Sequence, residues 1–423
     1  IAAAAPLLVY RAITQQKYRQ GWAQKLWGLA PRRTGERPCI WFHAVSVGEV
    51  NLLAPLLAAI ARRHPHWQCV VSTTTATGFA LARKKYPELV VFYCPLDFSW
   101  AVQAALRRIR PNCLVLTELE LWPNLIAAAR RHGARVAIVN GRLSEHSFRG
   151  YRRVRWFAAS MLGRLDSILA QNQEYAERFL ALGAPASRVH VTGSLKFDGA
   201  QTDRANAATL RLRQLAGIAD DDVVFLAGST QSGEETAALD VYRNFAQEYP
   251  RLRLILVPRH PERFNAVAEE LDRAELPWQR RSRLEADGVD GNARVLLVDT
   301  IGELCAWWGA AHIAFVGGSL SSRGGQNMIE PAAYGAAVCF GPNTRNFRDI
   351  VAMLLDRQAA VVVPDAGGLA AFVRRCLEEP RYAEQLGQRA QSLVADQLGA
   401  TRRTLELLEP LVAPQRRESA LAA

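Results

Sequence analysis

Short apolar runs alternate along the chain with longer segments in which apolar side chains recur every three or four positions. The runs are continuously apolar, which is typical of strands in a parallel sheet that is covered on both faces. The longer segments fit amphipathic helices, such as "NLIAAARRHG", which Gly133 would end. The predicted strands form two series: 39–44, 69–73, 90–94, 113–118, 135–140, 167–171 and 189–193, then 223–229, 252–258, 294–299, 312–318, 337–341 and 360–364.

A polar stretch without a predicted strand, 199–220, separates the two series. The chain has 423 residues, which is long for one domain and suits two. We therefore predict two doubly wound α/β domains, 38–205 and 206–395, after a basic, aromatic segment (1–37) and before a C-terminal helix and tail (396–423). Such domains would face each other across a cleft, and ligands would sit beyond the carboxyl ends of the strands.

The chain carries a formal net charge of +12, which favours an anionic partner: nucleic acid, a phosphorylated substrate or an anionic membrane surface. Its seven cysteines are an odd number, several fall in strand-like runs, and no CxxC occurs. These features predict reduced, buried thiols in a cytosolic compartment, without a disulfide framework or a zinc site.

The first residues, "IAAAAPLLVY", are apolar but only about ten long, against about 20 for a membrane-spanning helix, so they suit the remaining end of a membrane anchor. The next stretch carries seven basic residues against one acid, Glu36, with aromatic residues interleaved: Tyr10, Arg11, Lys17, Tyr18, Arg19, Trp22, Lys25, Trp27, Arg32, Arg33 and Arg37. Basic residues with interleaved aromatics suit the cytoplasmic surface of a membrane. The alternative is an ordinary basic helix packed on the domain.

Strand ends in the second domain carry residues that suit phosphate. "AGSTQSGEE" (227–235) offers small residues and hydroxyls at a helix start, and Arg259 and His260 follow the next strand. In "FVGGSLSSRGGQNMIEPAAYG" (315–335), two glycine pairs precede a helix expected to begin near Asn327 with Glu330 in its first turn. Together they predict a nucleotide site, although each could be a capped or solvated turn. Neither GxxxxGK[ST] nor a GxGxxG after the first strand occurs, which disfavours P-loop and standard dinucleotide sites.

Charged residues also follow strands of the first domain. "TELELWPN" places Glu118 and Glu120 at a strand end, "NGRLSEHSF" adds Arg142, and "GSLKFD" adds Lys196. Carboxylates beside an arginine and a lysine suit an acidic sugar as acceptor or donor. Solvated loops would account for them equally well.

Glu49 lies where the first strand gives way to a helix. "SVGE" fits an S-x-x-E capping box, with Ser46 as the N-cap. However, a helix from Ser46 would contain Pro55 in its interior, at a cost of about 3 kcal/mol. A helix capped by Asn51 avoids this cost, and it leaves Glu49 in a loop as a free carboxylate that suits a general base.

Several long motifs in a fixed order resemble one family: "FHAVSVGEV", "TELELWPNL", "NGRLSEHSF", "GSLKFD", "VPRHPERF", "GGQNMIEPAAYG" and "GPNTRNFRDI". They are similar to those of the 3-deoxy-D-manno-octulosonic acid (Kdo) transferases of lipopolysaccharide synthesis. The resemblance implies a GT-B fold and inverting transfer of Kdo from CMP-Kdo to a tetraacylated lipid A precursor. It also implies action at the cytoplasmic face of the inner membrane through an N-terminal anchor, with no metal, no other cofactor and no nucleic acid partner.

The resemblance also implies roles for single residues. Glu49 matches the general base, and Glu118 and Lys196 match positions that stabilise the transition state. Contacts with CMP are implied for three segments: Pro258 and Arg259, with His260 beside them; Gly302, Glu303 and Leu304; and Asn327, Met328, Ile329 and Glu330.

Two other functions remain open at this point. One is a different GT-B enzyme acting on a nucleotide sugar, such as a non-hydrolysing sugar-nucleotide epimerase, although a soluble substrate would need no membrane patch. The other is a non-catalytic membrane adaptor that binds anionic lipid and has no affinity for CMP.

Overall fold

A computed structural model describes residues 20–412 of the chain. Its contacts divide these residues into two compact units, which we call the first and second domains. The first domain comprises 20–199 together with 397–412, and the second comprises 200–396. The end of the described chain therefore belongs to the first domain, which is discontinuous in sequence.

The first domain is built on a parallel sheet of seven strands in the order β3-β2-β1-β4-β5-β6-β7. Its strands are β1 (Cys39–His43), β2 (Gln68–Thr73), β3 (Val90–Tyr93), β4 (Cys113–Thr117), β5 (Arg135–Gly141), β6 (Ser167–Ala170) and β7 (Val189–Val191). All seven predicted strands of this domain are confirmed. The order reverses between β1 and β4, as in the doubly wound fold.

The second domain contains a second parallel sheet, in the order β10-β11-β9-β8-β12-β13-β14. Its strands are β8 (Val223–Thr230), β9 (Leu252–Pro258), β10 (Trp278–Arg280), β11 (Val295–Leu297), β12 (Ile313–Val316), β13 (Ala337–Phe340) and β14 (Val361–Val362). The six predicted strands are confirmed, whereas β10 is not predicted by the sequence pattern. It is a three-residue edge strand, "WQR", whose residues are all half-buried, so it has no apolar run to reveal it.

The helices mostly fill the intervals between the strands. In the first domain they are α1 (Trp22–Trp27), α2 (Val47–Leu52), α3 (Ala54–Arg63), α4 (Ala76–Lys85), α5 (Ser99–Ile109), α6 (Pro123–Arg131), α7 (Glu145–Arg153), α8 (Arg155–Leu162) and α9 (Gln173–Ala181). In the second they are α10 (Ala207–Leu215), α11 (Glu234–Phe245), α12 (Phe264–Arg273), α13 (Leu284–Asp287), α14 (Leu304–Trp308), α15 (Ile329–Ala333), α16 (Arg348–Asp356), α17 (Ala366–Glu378) and α18 (Pro380–Gln397). The last described helix, α19 (Ala400–Val412), packs on α3 of the first domain.

Strand β1 shows why the runs are continuously apolar. Successive side chains of a strand point to opposite faces. Trp41 lies in a buried cluster on one side, with Phe92, and Phe42 lies in a cluster on the other side, which includes Leu56 and Leu408. Both faces of the sheet are therefore covered, and α19 supplies part of the cover on one of them.

The basic, aromatic segment near the N-terminus is described only from residue 20. Lys25, predicted to be a basic surface residue, is instead buried, and its Nζ lies 4.2 Å from the ring centre of Tyr93. Burial lowers the pKa of Lys25. Trp22 and Trp27 are exposed. The predicted membrane-proximal residues Tyr10, Arg11, Lys17, Tyr18 and Arg19 lie outside the described residues, as does the apolar opening of the chain.

Among residues 20–412 no helix combines the length and the apolar composition needed to cross a bilayer. All seven cysteines are free thiols, and all but Cys305 are buried, as the strand-like runs predicted.

Candidate functional site

The reversal of strand order marks one place in each sheet where polar side chains can gather. In the first sheet, β1 and β4 are neighbours at this point, and in the second sheet β8 and β12 are. The chain leaves the two neighbours in opposite directions there, so their carboxyl ends border a crevice. Most of the predicted site residues follow strands close to these two points.

Glu49 lies in the first of these places, on a helix and not in a loop. Helix α2 begins at Val47, with Ser46 as its N-cap, and ends at Leu52. A new helix, α3, follows and takes Pro55 into its first turn. The prediction of a helix capped by Asn51 is therefore wrong: the proline does force a break, but the break comes after Glu49.

The carboxylate of Glu49 is held by three donors and is not free. Its Oε1 accepts from the Ser46 hydroxyl at 2.9 Å. Its Oε2 accepts from the Val45 N–H at 2.9 Å and lies 2.6 Å from the Thr117 hydroxyl at the end of β4. The capping box is thus real, and the same carboxylate bridges the ends of β1 and β4 with its side chain half-buried.

Glu118 and Lys196 come together beside this position. Glu118 directly follows β4 and has a φ of 54°, a left-handed conformation that is uncommon for glutamate and is often found at functional sites. Its Oε1 lies 3.9 Å from Nζ of Lys196. Lys196 is placed by the residue before it, because the Leu195 N–H donates to Asn140 Oδ1 at 3.0 Å. Residues distant in sequence therefore form one pair of opposite charges.

Glu120 adds a third carboxylate to the same region. Burial raises its pKa, a hydrogen bond from Trp122 opposes the rise, and the charges of Glu49 and Glu118 add to it. The ring of Trp122 packs nearly perpendicular to the buried ring of His43, with 5.6 Å between the ring centroids. Burial lowers the pKa of His43 to about 4, so this imidazole is neutral near pH 7.

In the second domain, the loops after β8 and β12 are joined by a carboxylate that the sequence motifs do not single out. Glu234, in the first turn of α11, is buried and accepts from the Gln231 N–H at 2.9 Å. It also accepts from the backbone N–H groups of Gly318, Ser319 and Leu320 at 2.7, 3.0 and 2.9 Å. These N–H groups therefore hold an internal anion, so they are not open to a phosphate as the glycine pattern suggested.

Arg259 and Glu330 mark a second polar region in the same domain. Arg259 is exposed, and its N–H donates to the Thr230 carbonyl at 3.1 Å, which ties the end of β9 to that of β8. Glu330 lies in the first turn of α15, as predicted, and accepts from Asn327 Nδ2 at 2.9 Å. Burial raises the pKa of Glu330, while Asn327 and the charge of Arg259 act to lower it. The cation and the carboxylate are thus close enough to influence each other.

Other residues predicted to contact CMP offer less side-chain surface. Pro258, Met328 and Ile329 are all buried, so a ligand could meet only their backbone groups. His260 is half-buried, and its Nδ1 lies 3.8 Å from the Glu262 carboxylate.

The "GEL" segment leads into α14, whose first residue is Leu304, and its glutamate is held by an arginine. Glu303 accepts from Arg281 through both oxygens, at 2.9 and 2.7 Å, and from the Thr300 hydroxyl at 2.7 Å. Burial acts to raise the pKa of Glu303, but these hydrogen bonds hold it below its usual value. Gly302 is exposed with a φ of 94°, and Leu304 is half-buried.

Known proteins of one family are similar to this chain over most of its length. A family model described as 3-deoxy-D-manno-octulosonic-acid transferase (kdotransferase) matches residues 17–199. The 3-deoxy-D-manno-octulosonic acid transferase of Haemophilus influenzae is 33% identical over 401 residues, which cover 94% of this chain and 93% of that protein. The protein of the same description from Bordetella pertussis is 38% identical over 384 residues, which cover 88% of this chain and 86% of the relative.

Among solved structures, UDP-GlcNAc 2-epimerase from Neisseria meningitidis bound to UDP-GlcNAc superposes with a TM-score of 0.57. The match covers 88% of this chain and 100% of the epimerase at 15% sequence identity, so it concerns the fold alone. With the two parallel sheets, it confirms the predicted α/β architecture of GT-B type with two Rossmann-like domains.

Proposed function

Because the chain belongs to the family of Kdo transferases, we propose that it transfers Kdo from CMP-Kdo to a tetraacylated lipid A precursor, with inversion at the anomeric carbon. Members of this family are glycosyltransferases, so this chain is one too, and it is not a non-catalytic membrane adaptor. The observation that carries the finer proposal lies where the strand order of the first sheet reverses: the Glu49 carboxylate is bonded to Thr117, and the next residue, Glu118, pairs with Lys196.

In this proposal Glu49 is the general base. A hydroxyl oxygen of the acceptor forms a bond to the anomeric carbon of Kdo, the bond from that carbon to the phosphate oxygen breaks, and CMP leaves. The hydroxyl proton passes to Glu49, whose half-buried carboxylate is pre-oriented by three donors. Lys196 pairs with Glu118, and its cation can stabilise the negative charge that develops as the donor is cleaved.

We assign the nucleotide to the second domain. Arg259 is the exposed cation at the end of β9 and suits the single phosphate of CMP, since a guanidinium binds phosphate through two parallel hydrogen bonds. Glu330 and Asn327 are polar groups in its vicinity that suit hydroxyls of the ribose or sugar. The remaining contacts with the nucleotide come from two groups of residues. One is the segment at the start of α14, Gly302, Glu303 and Leu304; the other is the backbone of the buried residues Pro258, Met328 and Ile329.

We also propose that the reaction needs no metal and takes place at the cytoplasmic face of the inner membrane. Support for the location comes from three of the exposed tryptophans of the first domain, which lie in or beside α1: Trp22, Trp27 and Trp100 are 41%, 63% and 56% exposed. Trp100 is fixed beside α1 by a hydrogen bond from its Nε1 to the Leu26 carbonyl at 2.9 Å. Tryptophan favours the level of lipid headgroups.

The test is to incubate the full chain with CMP-Kdo and the tetraacylated precursor, with and without EDTA. We expect release of CMP that depends on the acceptor, and a lipid product heavier by one or more Kdo units, in both cases. Failure to release CMP in response to the acceptor would refute the proposed donor or acceptor. The anomeric configuration of the product, read by NMR, checks inversion, and loss of transfer in EDTA would show that a metal is needed.

A sugar-nucleotide epimerase shares the fold but is distinguished by the same experiment. It would convert UDP-GlcNAc without any acceptor lipid. We expect no such conversion by this chain.

A further inference from the structure

The hydroxyl of Thr117 occupies an unusual position beside Glu49. Thr117 ends β4 and is 0% exposed, next to β1 in the sheet. Its Oγ1 lies 2.6 Å from Oε2 of Glu49 and 2.9 Å from the backbone carbonyl oxygen of His43. Both distances are those of hydrogen bonds, and the first is in the short range expected for a bond to a charged oxygen.

A threonine hydroxyl has one proton, and an ionised carboxylate and a carbonyl can only accept. Thr117 therefore donates fully to one of its two neighbours at a time. While Glu49 is ionised, its charge makes Oε2 the stronger acceptor. Once Glu49 is neutral this advantage disappears, and a rotation about the Cβ–Oγ1 bond turns the proton to the His43 carbonyl.

The two oxygens of Glu49 are also filled unequally. Oε2 accepts from the Val45 N–H and from Thr117, which uses both of its lone pairs. Oε1 accepts only from Ser46 among the described residues. An incoming hydroxyl thus finds its free acceptor position on Oε1.

We propose that Thr117 is a positioning residue whose hydroxyl changes its hydrogen-bond acceptor with the charge on Glu49. Before transfer the Thr117 hydroxyl donates to Oε2 and fills it, so that the proton of the acceptor goes to Oε1. After transfer the Thr117 hydroxyl donates to the His43 carbonyl. This inference rests on the proposed role of Glu49 as the base. No covalent bond of Thr117 changes, and the substrate proton ends on Glu49. The Thr117 hydroxyl thereby stabilises the ionised carboxylate of Glu49 by a hydrogen bond that it does not make to the neutral carboxyl group.

Other groups near Glu49 titrate as well and must be controlled. The negative charges of Glu49 and Glu118 act to raise the pKa of Glu120, and Glu118 is itself paired with Lys196. The imidazole of His43 has its pKa lowered to about 4 by burial. A Glu120→Gln variant serves as the control that removes the neighbouring carboxyl while leaving Thr117 in place.

The activity test compares Thr117→Val, which keeps the volume and loses the hydroxyl, with Thr117→Ser, which keeps the hydroxyl. For Thr117→Val we expect kcat to fall at least tenfold while KM for CMP-Kdo stays within twofold. Because one charge-assisted hydrogen bond is lost, the acid limb of the kcat–pH profile should also move to higher pH by about one unit. Thr117→Ser should restore the wild-type profile. If Thr117→Val lowers activity equally at every pH, or Thr117→Ser fails to restore it, Thr117 is only structural.

A second measurement does not depend on turnover. The infrared carboxylate stretch of Glu49, identified by its loss in Glu49→Gln, should shift in Thr117→Val and keep its wild-type frequency in Thr117→Ser. An unchanged band in Thr117→Val would overturn the inference even if Kdo transfer is found. If the band shifts but the wild-type protein transfers no Kdo, the hydroxyl serves the carboxylate and the proposed function is what fails.

Discussion

Replacing Glu49 by glutamine separates its role as a helix cap from its role as a base. The amide can keep its oxygen in the place of Oε2, facing the Val45 N–H and Thr117, while its NH2 group faces the Ser46 hydroxyl. The Val45 N–H and the Thr117 hydroxyl then keep their acceptor, whereas the Ser46 oxygen accepts from the NH2 group and the Ser46 proton loses the acceptor that Oε1 provided. We expect a loss of about 1–2 kcal/mol of folding free energy, or roughly 2–8 °C for a domain of this size.

The expected effect on catalysis is much larger. An amide cannot accept the acceptor's proton, and general base catalysis contributes about 10²- to 10⁴-fold. Acceptor-dependent CMP release by Glu49→Gln should therefore fall by at least about 100-fold, whereas CMP affinity measured by calorimetry should stay unchanged because the predicted CMP contacts lie in the second domain.

The matched control is Ser46→Ala. It removes the N-cap hydroxyl at a cost of about 1 kcal/mol and leaves the carboxylate in place. The melting temperature of Ser46→Ala should fall about as much as that of Glu49→Gln, and its transfer rate should stay within about tenfold of the wild type. If Glu49→Gln retained transfer while both variants lost the same stability, Glu49 would be a cap only.

Four further variants test single side chains. Lys196→Ala should lower the single-turnover rate of transfer by about 100-fold without changing CMP affinity, and an unchanged rate would remove Lys196 from the site. Arg259→Ala should weaken CMP binding by about tenfold or more in calorimetry. By contrast, Arg263→Ala should leave CMP affinity intact and destabilise the second domain by about 3 kcal/mol, because it strips the partner from buried Glu235. Burial acts to raise the pKa of Asp222, but a backbone N–H and two arginines hold it below its ordinary value of 3.8. Its stabilising effect is therefore complete above about pH 4 and lost as the pH falls through its lowered pKa, so denaturant melts should show Asp222→Asn closer to the wild type at pH 2.5 than at pH 7.

The two sheets were predictable because each central strand is buried on both faces. In a globular chain, a short continuous apolar run such as "CIWFH" usually forms a buried strand, and the predicted ends of this strand agree with the observed ends to within a residue or two. Strand β10 could not be found in this way, since an edge strand with half-buried Gln279 and Arg280 needs no apolar run.

The candidate site was predictable in its residues but not in its contacts. Pro55 correctly indicated a break in a helix, yet the break falls at Leu53, so that Glu49 remains in the preceding helix as part of a capping box. The role of Glu234 depends on β8 lying beside β12, a pairing of strands about 90 residues apart that no local pattern reports. Residue types at strand ends thus indicate where chemistry is concentrated, whereas hydrogen-bond partners follow from strand order.

The discontinuity of the first domain has a consequence for how the protein is made. Helix α19 covers one face of the first sheet, and its Leu405 and Leu408 belong to the same buried cluster as Ile40 and Phe42. Asp198 also accepts hydrogen bonds from the backbone N–H groups of Gly399 and Thr401. During synthesis the ribosome finishes the whole second domain before this helix emerges. Until then the first sheet has an apolar face uncovered, and a nascent chain stalled between residues 200 and 400 should be bound by chaperones and readily cleaved by proteases.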